Sequence, residues 1–222
     1  MSVTSSAALA AVIDHTILRP DATEADIEQF CAEALQWSFA SVCVNPIHVP
    51  RVAAALRGSV VRTCSVAGFP LGAMPTELKR RELEWVLAGG ANEVDMVISI
   101  GTLKGVGAGP IGDEVAALKT ICGPAPLKVI LETSLLTDEE IVAASLAAKR
   151  AGADFVKTST AFTQKGATVE AVALMRRTVG LEMGVKASGG IRSFAEAMAM
   201  IEAGANRIGT SRGVALMREA HF

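Results

Sequence analysis

The chain has no tyrosine, so a phenol is excluded as the proton carrier of any chemistry it performs. Its four cysteines, Cys31, Cys43, Cys64 and Cys122, lie far apart with no C-x-x-C pair and no histidine at zinc-finger spacing. That excludes a disulfide framework and a structural zinc site, and they read as reduced thiols. His15, His48 and His221 show neither H-x-H nor H-E-x-x-H spacing, so no metal site is expected; His15 reads as a hydrogen-bonded interior residue. A formal net charge of -2, with both signs scattered, leaves no footprint for nucleic acid or an anionic membrane. No run is apolar enough to cross a bilayer, and residues 1–11 lack the basic start and apolar stretch of a secretion signal. A soluble, cytoplasmic protein is expected.

What the chain does have is apolar bulk: half of its 222 residues are hydrophobic and a fifth are charged, which predicts one large core and a single domain over 1–222. Short β-branched runs alternate with alanine-rich segments throughout. Strands are predicted near 11–15, 39–44, 60–66, 93–98, 127–132, 154–158, 184–188 and 206–209, with helices between them. Thr23 with Asp26, Thr137 with Glu140, and Ser193 with Glu196 have capping-box spacing. Recurrent AGGANEV, AGADFV and AGANRI segments place glycine at helix ends. Buried parallel strands would look alike in an open doubly wound sheet, but eight β/α units in this length select a closed (β/α)8 TIM barrel. The glycine-rich segment 101–112 lacks the order of a dinucleotide or Walker site, so no nucleotide cofactor is expected and the segment reads as a mobile loop.

Barrel enzymes draw their reacting groups from the C-terminal ends of strands. Of the lysines in strand patterns, Lys128 falls near a strand start and is expected to reach solvent on its long stem. Lys157 and Lys186 fall near the ends of neighbouring strands six and seven. An isolated strand lysine is most often ion-paired or solvent-seeking. Two ammonium groups ~5 Å apart at an effective dielectric of ~20 repel by roughly 3 kcal/mol, a little over two pKa units. With burial, that repulsion could bring one amine from about 10.4 towards neutrality, where it can form an imine with a carbonyl. Carboxylates must then carry protons. Asp14, Asp95 and Glu132 lie within or at the end of apolar strands and are expected beside the lysines, because an unpaired buried carboxylate costs several kcal/mol. Cys43 could approach the cavity from strand two. After strands seven and eight come two turns, Gly189, Gly190 with Arg192, and Gly209, Thr210, Ser211 with Arg212, where barrels commonly hold phosphate. Arg192 and Arg212 would add charge.

The segments IDHTILRPDAT, SVCVNP, GFPLGA, EVDMVISIG, KVILET, GADFVKTST, GVKASGGIR and RIGTS, in this order, closely resemble the deoxyribose-phosphate aldolase family over nearly the whole chain. The resemblance implies a class I aldolase that reversibly cleaves 2-deoxy-D-ribose 5-phosphate to D-glyceraldehyde 3-phosphate and acetaldehyde. Carried over by motif, Lys157 is the Schiff-base nucleophile, Lys186 the lysine that perturbs it and Asp95 the proton relay. Asp14, Cys43 and Thr158 match further cavity positions, and the two glycine turns match the phosphate site. The resemblance also implies a homo-oligomer, dimer or tetramer, with only phosphosugar and aldehyde substrates as partners. Ala161, Ser134 and Arg212 depart from the family's usual glycine, glycine and serine, and the tail ends in Phe222 where some members end in tyrosine. The alternatives are another phosphosugar lyase or isomerase on the same barrel, or a phosphosugar-binding protein without catalysis.

Overall fold

The computed structural model describes residues 3–163 and 165–220; His221 and Phe222 lie outside the described residues. Eight strands, β1 (Ile13–Ile17), β2 (Ser41–Val44), β3 (Arg62–Ala67), β4 (Glu93–Val97), β5 (Leu127–Ile130), β6 (Phe155–Lys157), β7 (Gly184–Ser188) and β8 (Arg207–Thr210), pair in parallel with their sequence neighbours. β8 returns to β1 through Ile13 and Ile208, so the sheet closes into the predicted barrel. The helices α1 (Ser6–Ala10), α2 (Glu24–Trp37), α3 (Val49–Ala55), α4 (Thr76–Ala88), α5 (Ile100–Gly105), α6 (Gly109–Cys122), α7 (Asp138–Arg150), α8 (Val169–Val179), α9 (Phe194–Glu202) and α10 (Gly213–Glu219) surround it.

The predicted capping boxes form at the starts of α2, α7 and α9, each with the cap hydroxyl and the acidic side chain bonding reciprocally. At the end of α9, Gly204 takes φ 115 and lies so close to Arg176 that a Cβ there would stand 2.6 Å from its side chain. Two expectations are corrected. The first strand begins at Ile13 rather than residue 11, because Ser5 caps a short helix that runs through Ala10 and holds Ala11 in helical geometry. The segment 101–112 is α5 and the start of α6 rather than a mobile loop. Its glycines 101, 105 and 109 stand where a Cβ would touch nothing, so they weaken the helices without breaking them. Buried Leu103 and Ile111, a Ser99–Thr102 hydroxyl bond of 2.8 Å and a Lys104–Glu140 ion pair of 2.7 Å anchor the segment.

Register decides what points where, since paired residues share a face and neighbours along a strand alternate. Val42, Val94, Met96, Val129, Val156, Val185 and Ile208 face outward, are fully buried under the helices, and belong to one continuous core. Burial of each such side chain stabilises by roughly 1.5–3 kcal/mol. The inward set is polar: Asp14 with Ser41, Cys43 with Cys64, Asp95 with Lys128, and Lys157 with Lys186 are register partners. Barrel interiors are more often layered with Val, Ile and Leu. At the foot of this interior Gly184 is paired with Phe155, whose Cδ1 would lie 2.1 Å from any added Cβ, and the Arg207 guanidinium covers the same ring at 5.5 Å. The Gly184→Ala substitution is therefore expected to lower unfolding free energy by about 1–3 kcal/mol through overpacking. Denaturant unfolding monitored by circular dichroism checks this, and an unchanged midpoint would refute the packing argument.

Candidate active site

Asp95 is the hub of the interior. Its Oδ2 accepts from Lys157 Nζ at 2.7 Å and from Lys186 Nζ at 2.7 Å. The two amines are thus separated by no more than twice that distance, in one compartment, as the strand-end positions predicted. Its Oδ1 accepts from Lys128 Nζ at 2.9 Å and from the Cys64 thiol at 3.3 Å. Lys186 also meets Asp14 at 2.5 Å, and Asp14 in turn accepts from Arg207 at 2.7 Å and from the Ser41 hydroxyl at 2.6 Å. Lys128 also meets Glu93 at 2.6 Å, and Glu93 accepts from Arg207 at 3.3 Å.

This overturns the expectation for Lys128. It is fully buried and its stem runs inward from the strand start to the same carboxylate as the other two lysines. The long chain that lets a lysine reach water lets it reach a buried anion equally well, and here the anion is nearer. Glu132 is the opposite correction. It was expected beside a lysine, yet it is buried and accepts from neutral donors, namely the Thr160 amide at 3.1 Å, the Thr160 hydroxyl and the Thr163 hydroxyl at 3.0 Å. The cause is its backbone, turned to φ 58 just past β5, which aims the side chain along the rim instead of inward.

Inside the barrel four cations (Lys128, Lys157, Lys186, Arg207) meet three anions (Asp14, Glu93, Asp95), one positive charge in excess when all are ionised, and the half-exposed Arg62 adds a fifth cation at 3.3 Å from Glu93. Burial alone would push the Asp95 carboxyl up, but Lys128, Lys157 and Lys186 together hold it well below the ordinary carboxylate range. Asp14 is lowered in the same way, against burial, by Lys186 and Arg207. Burial pulls the Lys186 ammonium down, and Asp14 and Asp95 more than offset it, so its pKa lies above the usual lysine value. Lys128 is raised likewise, by Asp95 foremost. Lys157 differs in having a single carboxylate partner and in facing a cavity.

That cavity, of about 560 Å³, is bounded at its floor by Lys157 and at its wall by Thr160, Ala161 and Phe162. Gly189, Gly190, Arg192, Gly209, Thr210 and Ser211 of the two predicted turns line it too, with Gly189 and Gly190 at φ 88 and 79. Arg19 and Asp26, paired at 2.5 Å, and Phe30 close the far side. The amides of Arg192 and Ser193 are already taken by the Glu196 carboxylate at 2.7 and 3.0 Å, so the start of α9 presents occupied donors. Arg212 borders a neighbouring depression with His15 and Glu33, and its amide donates to the Thr210 hydroxyl at 3.0 Å. Thr158 is buried and ties β6 to β7, its hydroxyl donating to the Ser188 carbonyl and accepting from the Ser188 amide, each at 3.0 Å. Cys43 lies beneath the cavity with Leu18, Cys64 and Val66. His15 points outward, bonded to Glu33 at 2.7 Å and stacked on Phe30, as an interior histidine should be. Cys64, Glu93 and Arg207 were not anticipated. The E-V-D alternation of β4 carried the signal for Glu93, since residues two apart share a face.

Amines and carboxylates gathered at the floor of a cavity, at the strand ends of a closed β/α barrel, are the arrangement of a barrel enzyme. A family model described as DeoC/LacD family aldolase matches residues 8–222. The deoxyribose-phosphate aldolase of Rhodospirillum rubrum is 57% identical over 215 residues, 97% of this chain and 90% of the relative, and that of Brevibacillus brevis is 54% identical, covering 94% of each. Among solved structures, the tetrameric deoxyribose phosphate aldolase of Aeropyrum pernix superposes with a TM-score of 0.91 at 37% identity, covering 97% of this chain and 92% of that one. The chain belongs to the DeoC/LacD family of aldolases.

Removing one member of a buried ionic network strands the others, at a cost of about 3–5 kcal/mol. Lys128→Met is expected to lose that much stability at neutral pH, read from denaturant unfolding. Asp14 and Asp95 have native values below those of the unfolded chain, about 3.9. Their stabilisation is complete above that pH and disappears as pH falls through the native values. The raised Lys128 and Lys186 stabilise fully below about 10.4 and lose this only as pH climbs beyond it. A wild-type stability that fell as pH rose from about 6 to about 7, below the range in which the buried thiols titrate, would contradict these assignments.

Proposed function

We propose that the chain is a cytoplasmic, metal-independent class I aldolase that reversibly cleaves 2-deoxy-D-ribose 5-phosphate to D-glyceraldehyde 3-phosphate and acetaldehyde. The observation that carries this reading is Lys157 on the cavity floor, its Nζ 2.7 Å from an Asp95 oxygen that also binds Lys186. Of the three lysines on Asp95, Lys157 is the one with a single carboxylate partner and the one that faces the cavity. Lys186, anchored by Asp14 and Asp95, keeps its charge and sets a fixed cation beside the same Asp95 oxygen.

In this mechanism the Lys157 amine adds to the open-chain aldehyde carbon and water leaves, forming an imine. The hydroxyl on C3 gives up its proton, relayed through water to Asp95. The electron pair of the C2–C3 bond moves into the iminium, releasing glyceraldehyde 3-phosphate and leaving an enamine on Lys157. The relayed proton returns to C2, and water hydrolyses the imine to acetaldehyde. The phosphate lies against the turns at Gly189, Gly190 and Arg192 and at Gly209, Thr210 and Ser211, where exposed amides and one guanidinium meet its charge. With the α9 amides occupied by Glu196, the turns rather than the helix end receive it. Arg212 stands outside this cavity, its amide donating to the Thr210 hydroxyl and its side chain bordering the adjacent depression.

Borohydride reduction in the presence of acetaldehyde should fix a two-carbon adduct on Lys157. Lys157→Leu should abolish both the adduct and acetaldehyde release from deoxyribose 5-phosphate, while Lys186→Leu should slow turnover by roughly 10²–10³-fold, the scale of a lost preorganised charge. An unlabelled wild-type enzyme, or undiminished turnover in Lys157→Leu, removes the mechanism; saturable phosphosugar binding without turnover points to a non-catalytic binder. Self-association is proposed from the tetrameric Aeropyrum pernix relative. Light scattering should then give a mass at a multiple of the 23.0 kDa chain, and a monomer at micromolar concentration refutes it.

A further inference from the structure

Cys43 on β2 and Cys64 on β3 are register partners, so both side chains leave the sheet on its inner face. Both are fully buried in a small apolar cluster with Leu18, Val66 and Phe69. The two sulfurs and an Asp95 oxygen all lie within 4.8 Å of one another. Two chemistries fit such a trio: capture of a thiophilic metal ion, or joining of the sulfurs.

Electrostatics separates them. Asp95 already answers to three lysines in a cluster with a positive charge to spare, and Lys128 Nζ stands 3.5 Å from the Cys64 sulfur. A divalent cation placed there would be repelled and would have to displace Lys128 from its carboxylate. The same positive field stabilises a thiolate, the form that attacks electrophiles. The adjacent Cys64 thiol outweighs burial and draws Cys43 below the ordinary thiol value, whereas burial pushes Cys64 up. Adjacent strands about 4.8 Å apart fall within the Cα spacing of about 4.4–6.8 Å that a disulfide spans.

We propose that Cys43 and Cys64 form a peroxide-oxidisable dithiol whose disulfide reversibly disables the Asp95 site. The Cys43 thiolate attacks one peroxide oxygen, the O–O bond breaks, and the departing hydroxide takes a proton to become water, leaving a sulfenic acid. The Cys64 sulfur then attacks Cys43, the S–O bond breaks, a second water leaves and the S–S bond forms. Two thiols lose two electrons and hydrogen peroxide is reduced to two waters. Closing the bond draws the Cys64 sulfur away from Asp95 Oδ1 and Lys128, and so shifts the carboxylate that holds Lys157 and Lys186. Cys31 on α2 and Cys122 on α6 serve as internal controls, since burial pushes each thiol up to about 11.

The test is graded hydrogen peroxide on the intact enzyme, with non-reducing peptide mass mapping and acetaldehyde-borohydride labelling of Lys157 on the same samples. The expected result is a joined pair of peptides carrying positions 43 and 64, together with a fall in labelling rate of roughly 10²-fold, the effect of a displacement near 1 Å at a reacting group. Dithiothreitol restores both, Cys64→Ser forms no link, and zinc chloride at matching concentrations leaves labelling unchanged. Separate peptides after peroxide has silenced the enzyme, a link that leaves labelling intact, or zinc inhibition relieved by Cys64→Ser each overturn the proposal. The cross-link is read by mass whichever substrate the cavity takes, so only the labelling arm rests on the aldolase reading.

Discussion

One carboxylate organises this protein. Asp95 divides its two oxygens among three ammonium groups, two on Oδ2 and one on Oδ1, in a space with no bulk water to share the work. Bringing those charges inside costs several kcal/mol per ion, and the arrangement is stable only because each anion serves more than one cation. Inside the barrel cations outnumber anions by one when all are ionised. The lysine chemistry and the thiol chemistry proposed for this interior both draw on that one cluster.

The barrel makes that arrangement possible through alternation. Each strand sends every second residue outward into a continuous aliphatic shell and every other one inward. The shell supplies the stability while the interior tolerates charge, and the two duties never fall on the same residue. Short ties along the rim join the inward set to the cavity wall. Thr158 binds β6 to β7, the Ser188 hydroxyl donates to the Ser159 carbonyl at 2.6 Å, and Glu132 gathers Thr160 and Thr163. The floor and wall of the cavity are therefore one hydrogen-bonded body.

Much of this was legible in the letters. β-branched runs and glycine stops located all eight strands to within a few residues, because the outward half of most strands is aliphatic and glycine ends most of the helices before them. Lys157, Lys186 and Asp95 stood out as ionisable residues within such runs. The misreadings share a cause: direction. A lysine at a strand start carries no letter saying whether its stem goes down to water or up to an anion, and Lys128 goes up. Glu132 ends a strand, but a left-handed turn at that one residue redirects it. Glycine in 101–112 suggested looseness, while the structure places Gly101, Gly105 and Gly109 in helices where a side chain would touch nothing, and Gly107 at φ 108 in the turn between them. Cys64 read only as one of four reduced thiols, because nothing in the letters says that its register partner is Cys43.

Closure of the ring has a consequence for how its seam is held. Asp14 comes from the first strand and Arg207 from the last, yet they meet at 2.7 Å, joining the two ends of the polypeptide. The last strand is therefore fastened to the first by charge as well as by backbone pairing, and a chain lacking β8 would leave Asp14 without this guanidinium.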